Sequence, residues 1–172
     1  MEVESPIIID NFLDYEDFTY LFDIVKKIHY RMSPLAPLKT KPEPDNHILF
    51  AHLLYDFFEP KSQYFDQFGE RFFSKLDSLG DEFSVKAIIR SKINCYPQTA
   101  DNVIHFWHCD TNYSHKGALL NFNDCDGYTE ILGYGKIQSK ANRLFLFDPS
   151  VPHRSTSCTD QSFRFNVVIN YF

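Results

Sequence analysis

The pattern of apolar and polar positions changes about halfway along the chain. In residues 1–83 apolar residues recur mainly at helical spacing, whereas in residues 84–172 they tend to alternate with polar ones. Spacings of three and four residues place side chains on one face of a helix, and alternation places them on one face of a strand. The pattern therefore predicts a helical first part followed by a strand-rich core.

Two amphipathic helices are predicted in the first part. One covers about 15–28 and begins after Asp14, and the other covers about 63–79 and begins after Ser62. Aspartate and serine are favoured before a helix because their side-chain oxygens accept hydrogen bonds from the free N–H groups of the first turn. A short apolar run at 6–9 is typical of an edge strand.

Prolines interrupt the segment between these helices. Residues 31–46 contain Pro34, Pro37, Pro42 and Pro44. Because proline has a fixed φ and no backbone N–H, this density predicts a segment without regular structure. The segment is a candidate lid over a site, although an ordinary surface loop has the same sequence character.

The second part predicts a series of short strands separated by turn residues. The predicted strands are 85–96, 103–110, 117–123, 128–132, 143–148, 151–157 and 163–171. Helices first and strands afterwards predict an α+β fold with a β-sandwich or barrel core. With no linker and no internal repeat, the 172 residues are expected to form one domain.

The amino-acid composition argues against several classes of protein and partner for this chain. Hydrophobic residues make up 44% of the chain and aromatic residues 17%, which indicates a buried core. The formal charge of −6 makes nucleic acid a poor default partner. No signal peptide or membrane-spanning run is evident. Four scattered cysteines without a CxxC pair predict reduced thiols in a cytoplasmic protein.

The first candidate site residues lie in one predicted strand. His108 and Asp110 are two residues apart, so their side chains point to the same face. Cys109 points to the other face, and His105 differs from His108 by an odd offset and also faces away in a regular strand. We therefore interpret His105 as structural, with the His-x-x-His spacing as the rival.

A third candidate ligand is expected from a distant strand. His153 follows an apolar strand and comes directly after Pro152, which stiffens its approach. Two imidazoles and one carboxylate form the set that binds one face of a non-haem Fe(II) and leaves the other face open. The sequence thus indicates a metal site built from His108, Asp110 and His153.

Arg164 lies near the end of the chain, on the same strand face as Asn166. A buried arginine needs an anionic partner. That partner is either a carboxylate of the protein or the carboxylate of a ligand, which the planar guanidinium grips through two hydrogen bonds. The sequence leaves both alternatives open.

The predicted strand 85–96 has one unusually polar face. Arg90, Lys92, Asn94 and Tyr96 alternate with apolar residues. Such a face lines a cavity or faces solvent, and the pattern favours neither. The phenol of Tyr96 could donate a hydrogen bond to a bound carboxylate.

A series of short stretches in the second part follows a recognisable order. They are Asn94-Cys95-Tyr96-Pro97, His108-Cys109-Asp110, Leu120-Asn121-Phe122-Asn123, Asp126-Gly127-Tyr128-Thr129, Asn142-Arg143-Leu144-Phe145-Leu146-Phe147-Asp148, His153 and Arg164. This series resembles the 2-oxoglutarate/Fe(II)-dependent oxygenases of the prolyl-4-hydroxylase-like type, and most closely the short members found in marine phages. The resemblance covers about 84–172, and Gly127-Tyr128-Thr129 replaces the usual paired glycines.

The resemblance implies a double-stranded β-helix, or jelly roll, with flanking helices. His108, Asp110 and His153 would hold Fe(II). Arg164 would bind the distal carboxylate of 2-oxoglutarate with help from Tyr96, and Asn94 and Asn166 are further candidate contacts. Oxygen would be the second cosubstrate, with ascorbate as a candidate reductant.

The implied activity is hydroxylation of an unidentified substrate with release of succinate and carbon dioxide. The substrate could be a prolyl or other side chain of a protein or peptide, or a small molecule, in the host cytoplasm if the chain is phage-encoded. Trp107 is a candidate substrate wall. The main rival is a non-catalytic β-helix module that binds a metal or ligand. A cupin-like enzyme without an oxo acid is a second rival, and a zinc hydrolase has less support because no HExxH pair is present.

Overall fold

The computed structural model describes residues 5–34 and 48–172, and strands dominate these ranges. In chain order the strands are β1 (Ile7–Ile9), β2 (Arg31–Pro34), β3 (Ile48–Asp56), β4 (Glu59–Pro60), β5 (Ile88–Pro97), β6 (Lys116–Asn121), β7 (Tyr128–Ile131), β8 (Gly135–Gln138), β9 (Arg143–Phe147), β10 (His153–Ser155) and β11 (Phe163–Tyr171). All the strand pairs described are antiparallel.

The strands form a large and a small sheet. The large sheet has the order β1-β9-β6-β11-β5-β3-β2, with β4 paired to β3, and the small sheet has the order β10-β7-β8. An apolar cluster joins the two sheets: Leu119 and Val168 come from the large sheet, and Ile131 and Ile137 from the small one. Two antiparallel sheets packed face to face with crossover connections form a jelly roll. The predicted α+β fold with a double-stranded β-helix core is therefore confirmed.

Helices cover the other face of the large sheet. Helix α1 (Tyr15–Lys27) buries Leu21 and Val25. The second helical stretch consists of α2 (Phe65–Phe68), a π-helical segment (Gly69–Phe73) and α3 (Ser74–Asp77). The buried side chains of these helices share one apolar cluster with the sheet. Both predicted helices are confirmed in position, and the second is shorter at both ends than predicted.

The first part of the chain contains more strand than predicted. Residues 31–34, expected to be irregular, form β2, which pairs with β3. Strand β3 was not predicted at all, because the sequence of Ile48–Asp56 carries apolar residues at helical and strand spacings alike. The first part, predicted to hold two helices and a short strand at 6–9, therefore also contains the unpredicted strands β2, β3 and β4. The rest of the candidate lid, 35–46, lies outside the described residues.

The strand predicted at 103–110 is replaced by isolated bridges. Ile104 bridges Thr156 and His108 bridges His153. Beyond His108 the backbone leaves the small sheet, and the N–H of Asp110 donates to the carbonyl of Pro149 at 2.9 Å. The connection therefore follows β10 without forming a continuous ladder. Strand β8 was also not predicted.

The cysteines and helices do not test the predicted cellular location of the protein. All four cysteines are free, and Cys109 is exposed while the other three are buried. Within the described ranges, no helix combines the length and the apolar character needed to cross a bilayer. The single domain over 1–172 and the cytoplasmic location stay predictions.

Candidate metal centre

Three potential metal ligands converge between the two sheets. His108 and Asp110 come from the connection between β5 and β6, and His153 begins β10. One ligand atom from each lies within 4.8 Å of the other two. Reciprocal backbone hydrogen bonds of 3.0 and 2.9 Å between His108 and His153 hold the two rings side by side, with centroids 4.4 Å apart. We call these three residues the triad.

Backbone carbonyls orient both imidazoles. Nδ1 of His153 lies 2.9 Å from the carbonyl oxygen of Val151, and Nδ1 of His108 lies 3.3 Å from that of Phe106. A carbonyl only accepts hydrogen bonds, so the proton of each neutral ring resides on Nδ1. Nε2 then keeps its lone pair, which is the arrangement that metal-binding histidines require.

The electrostatics of the triad favour metal-binding protonation states. Burial lowers the pKa of His153 to about 4, and the neighbouring His108 adds to this effect. Burial also lowers the pKa of His108. Burial would raise the pKa of Asp110, but Arg90, Lys92 and the hydrogen bond from Asn170 outweigh it and lower the pKa to about 2. Near neutral pH the triad therefore presents two neutral imidazoles and one carboxylate.

The carboxylate of Asp110 is held by two neighbours. Nη2 of Arg90 donates to Oδ1 at 2.9 Å, and Nδ2 of Asn170 donates to Oδ2 at 2.7 Å. Arg90 and Asn170 lie opposite each other on β5 and β11. These contacts fix the carboxylate beside the imidazoles, and the sequence analysis did not assign them.

The triad lines one end of a cavity between the sheets. Lys92, Asn94 and Tyr96 of β5 line the same cavity, as does Thr129 of β7. The polar face of β5 therefore points into the protein, which settles the alternative of a solvent-facing strand. Apolar side chains of Leu119, Phe147 and Val168 complete the lining.

Arg164 lies behind the far end of this cavity and is wholly buried. Nη1 donates to the carbonyls of Tyr128 and Thr156, each at 3.0 Å, and Nη2 donates to Oγ1 of Thr129 at 2.9 Å. Its Nε has no partner among the described residues, and no carboxylate there pairs with it. Burial lowers the pKa of Arg164. Of the two partners considered for Arg164, a protein carboxylate is therefore not found among the described residues.

Tyr96 and Thr129 separate Arg164 from the cavity. The guanidinium carbon of Arg164 lies 5.1 Å from the ring centroid of Tyr96, and both Tyr96 and Thr129 line the cavity. An acidic group at this end would meet the hydroxyls of Tyr96 and Thr129, with the guanidinium of Arg164 directly behind them. The sequence analysis named Thr129 only as part of a turn motif. The pairing of Arg164 with a threonine 35 residues away has no local sequence signal.

The two candidate asparagines occupy different positions. Nδ2 of Asn94 donates to Oδ1 of Asn166 at 2.9 Å, which leaves Oδ1 of Asn94 and Nδ2 of Asn166 without partners among the described residues. Asn94 lines the cavity, whereas Asn166 is not among the lining residues. Asn166 thus orients Asn94, and the predicted contacts of both with a cosubstrate stay predictions.

The remaining candidates lie around the site. Nδ1 of His105 lies 2.9 Å from the Ser155 hydroxyl and its ring stacks on Tyr96 with centroids 5.5 Å apart, outside the triad. Trp107 is exposed, and its ring contacts Arg154, which lines the cavity. Its predicted role as a substrate wall stays a prediction.

Gly127 permits the close approach of Arg164 to β7. A Cβ at this position would lie 2.6 Å from the carbonyl oxygen of Ser157 and 2.8 Å from Cδ of Arg164. We expect Gly127→Ala to displace Arg164 and to lower the midpoint of thermal unfolding by several degrees. Gly135→Ala, where a Cβ meets open space but φ is +117°, is the control for backbone strain alone. An equal midpoint of thermal unfolding in the wild type and Gly127→Ala would contradict this role.

A wider depression of about 440 Å³ shares no lining residue with this cavity. Asp124, Asp126 and Asp160 line it, and Asp126 already accepts hydrogen bonds from Thr159. Because no imidazole lines it, it offers no mixed nitrogen and oxygen donor set. We therefore place the candidate site in the narrower cavity.

Comparisons with known proteins support the fold. No family model and no curated protein matches the sequence. A 2OG-Fe(II) oxygenase-family oxidoreductase from Burkholderia pseudomallei matches with a TM-score of 0.72 and 10% identity, over 97% of this chain and 84% of that one.

Two further solved structures are similar over 98% of this chain and 83% of their own. A prolyl hydroxylase from Trichoplax adhaerens, in complex with a hypoxia inducible factor peptide fragment, has a TM-score of 0.69 and 16% identity. HygX from Streptomyces hygroscopicus, with nickel and 2-oxoglutarate bound, has a TM-score of 0.67 and 8% identity. At these identities the likeness concerns the fold. The chain has the double-stranded β-helix fold of the 2-oxoglutarate/Fe(II) oxygenases.

Proposed function

We propose that the protein is a non-haem Fe(II)- and 2-oxoglutarate-dependent dioxygenase. The observation that carries the proposal is one cavity with the triad at one end and, behind the other, a buried arginine that pairs with no carboxylate of the described residues. A buried charge without a counter-ion is costly, so a site of this kind favours an anionic ligand. The similar fold of oxygenases supports the same conclusion.

The donor set fits iron. Two imidazoles and a carboxylate suit Fe(II) better than a thiolate set does, and the free Cys109 is not part of the triad. His108, Asp110 and His153 would hold the metal. When bound, Fe(II) together with 2-oxoglutarate and oxygen supplies the oxidising chemistry, with release of succinate and carbon dioxide.

The protein's own residues would bind and orient the cosubstrate. Arg164 lies opposite Tyr96 in the β5–β11 pair, whereas Asn170, which contacts Asp110, lies opposite Arg90 at the other end of that pair. The two ends suit a ligand with two acid groups, one near the triad and one near Arg164. Thr129 and Tyr96 would donate hydrogen bonds to the distal acid group, and the apolar side chains of the lining would help to exclude water.

The reaction outcome and the substrate are parts of the proposal. Hydroxylation of a prolyl or other side chain of a peptide, or of a small molecule, fits the similar proteins, one of which binds a peptide fragment. Ascorbate is proposed as a reductant. A phage origin and a location in the host cytoplasm stay predictions.

An anaerobic titration tests the proposal. Fe(II) and 2-oxoglutarate are added to the protein, and the visible charge-transfer band of the chelate is followed. Oxygen is then admitted and succinate is measured. We expect a saturable band and succinate release that candidate peptides or metabolites stimulate. Metal binding without the band and without succinate would favour the non-catalytic module.

A further inference from the structure

Lys92 is a cation in the cavity that the proposed chemistry does not use. It lies on β5 between Arg90 and Asn94 and lines the cavity together with the triad. Among the described residues, no hydrogen bond or ion pair reaches its ammonium group. Burial removes part of its hydration, and of its charged neighbours Arg90 repels the ammonium group while Asp110 attracts it. The half-buried ammonium group of Lys92 therefore faces the cavity without a hydrogen-bonded or ion-paired partner among the described residues.

Asp110 attracts Lys92 but forms no hydrogen bond or ion pair with it. Both of its oxygens already accept short hydrogen bonds, one from Arg90 at 2.9 Å and one from Asn170 at 2.7 Å. A metal held by the triad would add a further positive charge beside the same carboxylate. Glu130, the other acidic residue near the cavity in the described part of the chain, is paired with Arg154 at 2.7 Å.

The charges at the site do not balance without a further anion. Among residues 5–34 and 48–172, three cations, Arg90, Lys92 and Arg164, lie at the site with the single carboxylate of Asp110. A divalent metal and the dianion of 2-oxoglutarate cancel each other. Two positive charges therefore remain in a cavity of low dielectric constant, where uncompensated charge is expensive.

We propose that the primary substrate carries an anionic oxyacid group, a carboxylate or a phosphate, and that Lys92 binds this group beside the metal. The inference rests on the proposed function, because it assigns the remaining charge only after metal and cosubstrate are bound. Lys92 is then the residue that selects the substrate, and Arg164 the residue that selects the cosubstrate. The susceptible C–H bond lies close to the acid group, since Lys92 and the triad line the same end of the cavity.

Nuclear magnetic relaxation tests this assignment without turnover. The protein is loaded with Mn(II) and 2-oxoglutarate in the absence of oxygen, and acetate, methylphosphonate and acetamide are titrated as probes. Mn(II) binds the same hard donor set and relaxes the methyl protons of any probe held nearby. We expect acetate or methylphosphonate to bind about tenfold more tightly than the neutral acetamide. The tighter of the two anions distinguishes a carboxylate from a phosphate group.

Two variants distinguish an effect of Lys92 on anion binding from an effect of general surface charge. Lys92→Met removes the charge and retains a side chain of similar length, so the preference for the anion is expected to disappear. Lys136→Met, which removes a lysine that lies over the ring of Tyr128 outside the cavity lining, is expected to keep it. Equal binding of acetate and acetamide by the wild type, or an unchanged preference in Lys92→Met, would overturn the proposal.

The Fe(II)–2-oxoglutarate band, measured on the same preparations, keeps the two proposals distinguishable. A normal band without any anion preference contradicts the role of Lys92 alone. A tenfold loss of 2-oxoglutarate affinity in Lys92→Met, with unchanged probe binding, assigns Lys92 to the cosubstrate and also overturns the inference. Absence of the band in the wild type removes the proposed function and this inference with it.

Discussion

Replacing His153 with alanine is expected to abolish metal binding while the fold persists. His153 supplies one of the three ligand atoms that lie within 4.8 Å of one another, and because a backbone carbonyl holds its Nδ1, its Nε2 is the free donor atom. Loss of an outer contact to a ligand typically weakens metal binding 10–100-fold, and loss of the ligand itself is expected to exceed about 100-fold. Calorimetric titration with Mn(II) measures the affinity, and the Fe(II)–2-oxoglutarate band is expected to vanish.

The matched control is His105→Ala, which removes another buried imidazole of the same cavity region. His105 contacts Ser155 and Tyr96 but is not part of the triad. We expect this variant to lose stability because a buried hydrogen bond and a ring contact disappear, and to bind Mn(II) nearly as well as the wild type. Retained metal affinity in His153→Ala, with loss in His105→Ala, would reassign the site to the His-x-x-His alternative.

Elements with a clear period were predictable from sequence alone. The strand predicted at 163–171 is β11, because its apolar and polar residues alternate and both faces have distinct surroundings. Helix α1 was predictable because its apolar residues keep helical spacing over 13 residues. Strand β3 was not, since its pairing with β5 decides its conformation and its own pattern does not.

In the site, too, relations between residues close in sequence could be predicted, whereas contacts between residues far apart in sequence could not. His108 and Asp110 are close in sequence, so their relation could be predicted even though the continuous strand expected there is absent. The contacts of Arg90 with Asp110 and of Arg164 with Thr129 join residues 20 and 35 positions apart. Such contacts depend on strand register, which a single sequence does not reveal. For this reason the surplus of positive charge became evident only in the folded chain.

Replacing Arg164 with methionine is expected to lower the affinity for 2-oxoglutarate by about 100-fold or more. The buried guanidinium offers Nε, which has no partner among the described residues, to a ligand carboxylate, and loss of one partner of a buried charged pair costs about 3–5 kcal/mol. Without ligand the variant is expected to remain folded, because removal of an uncompensated buried charge offsets the lost hydrogen bonds to Thr129 and two backbone carbonyls.

Thermal unfolding with and without cosubstrate measures this loss. In the wild type, metal-loaded and free of oxygen, 2-oxoglutarate at a hundred times its dissociation constant is expected to add about 2.7 kcal/mol of stability, and in Arg164→Met almost none. Arg143→Met is the control, since it removes an arginine of the same sheet that pairs with Asp10 away from the cavity. A full ligand-induced shift in Arg164→Met would instead favour the cupin-like alternative, in which the arginine contributes only to packing and no oxo acid is needed.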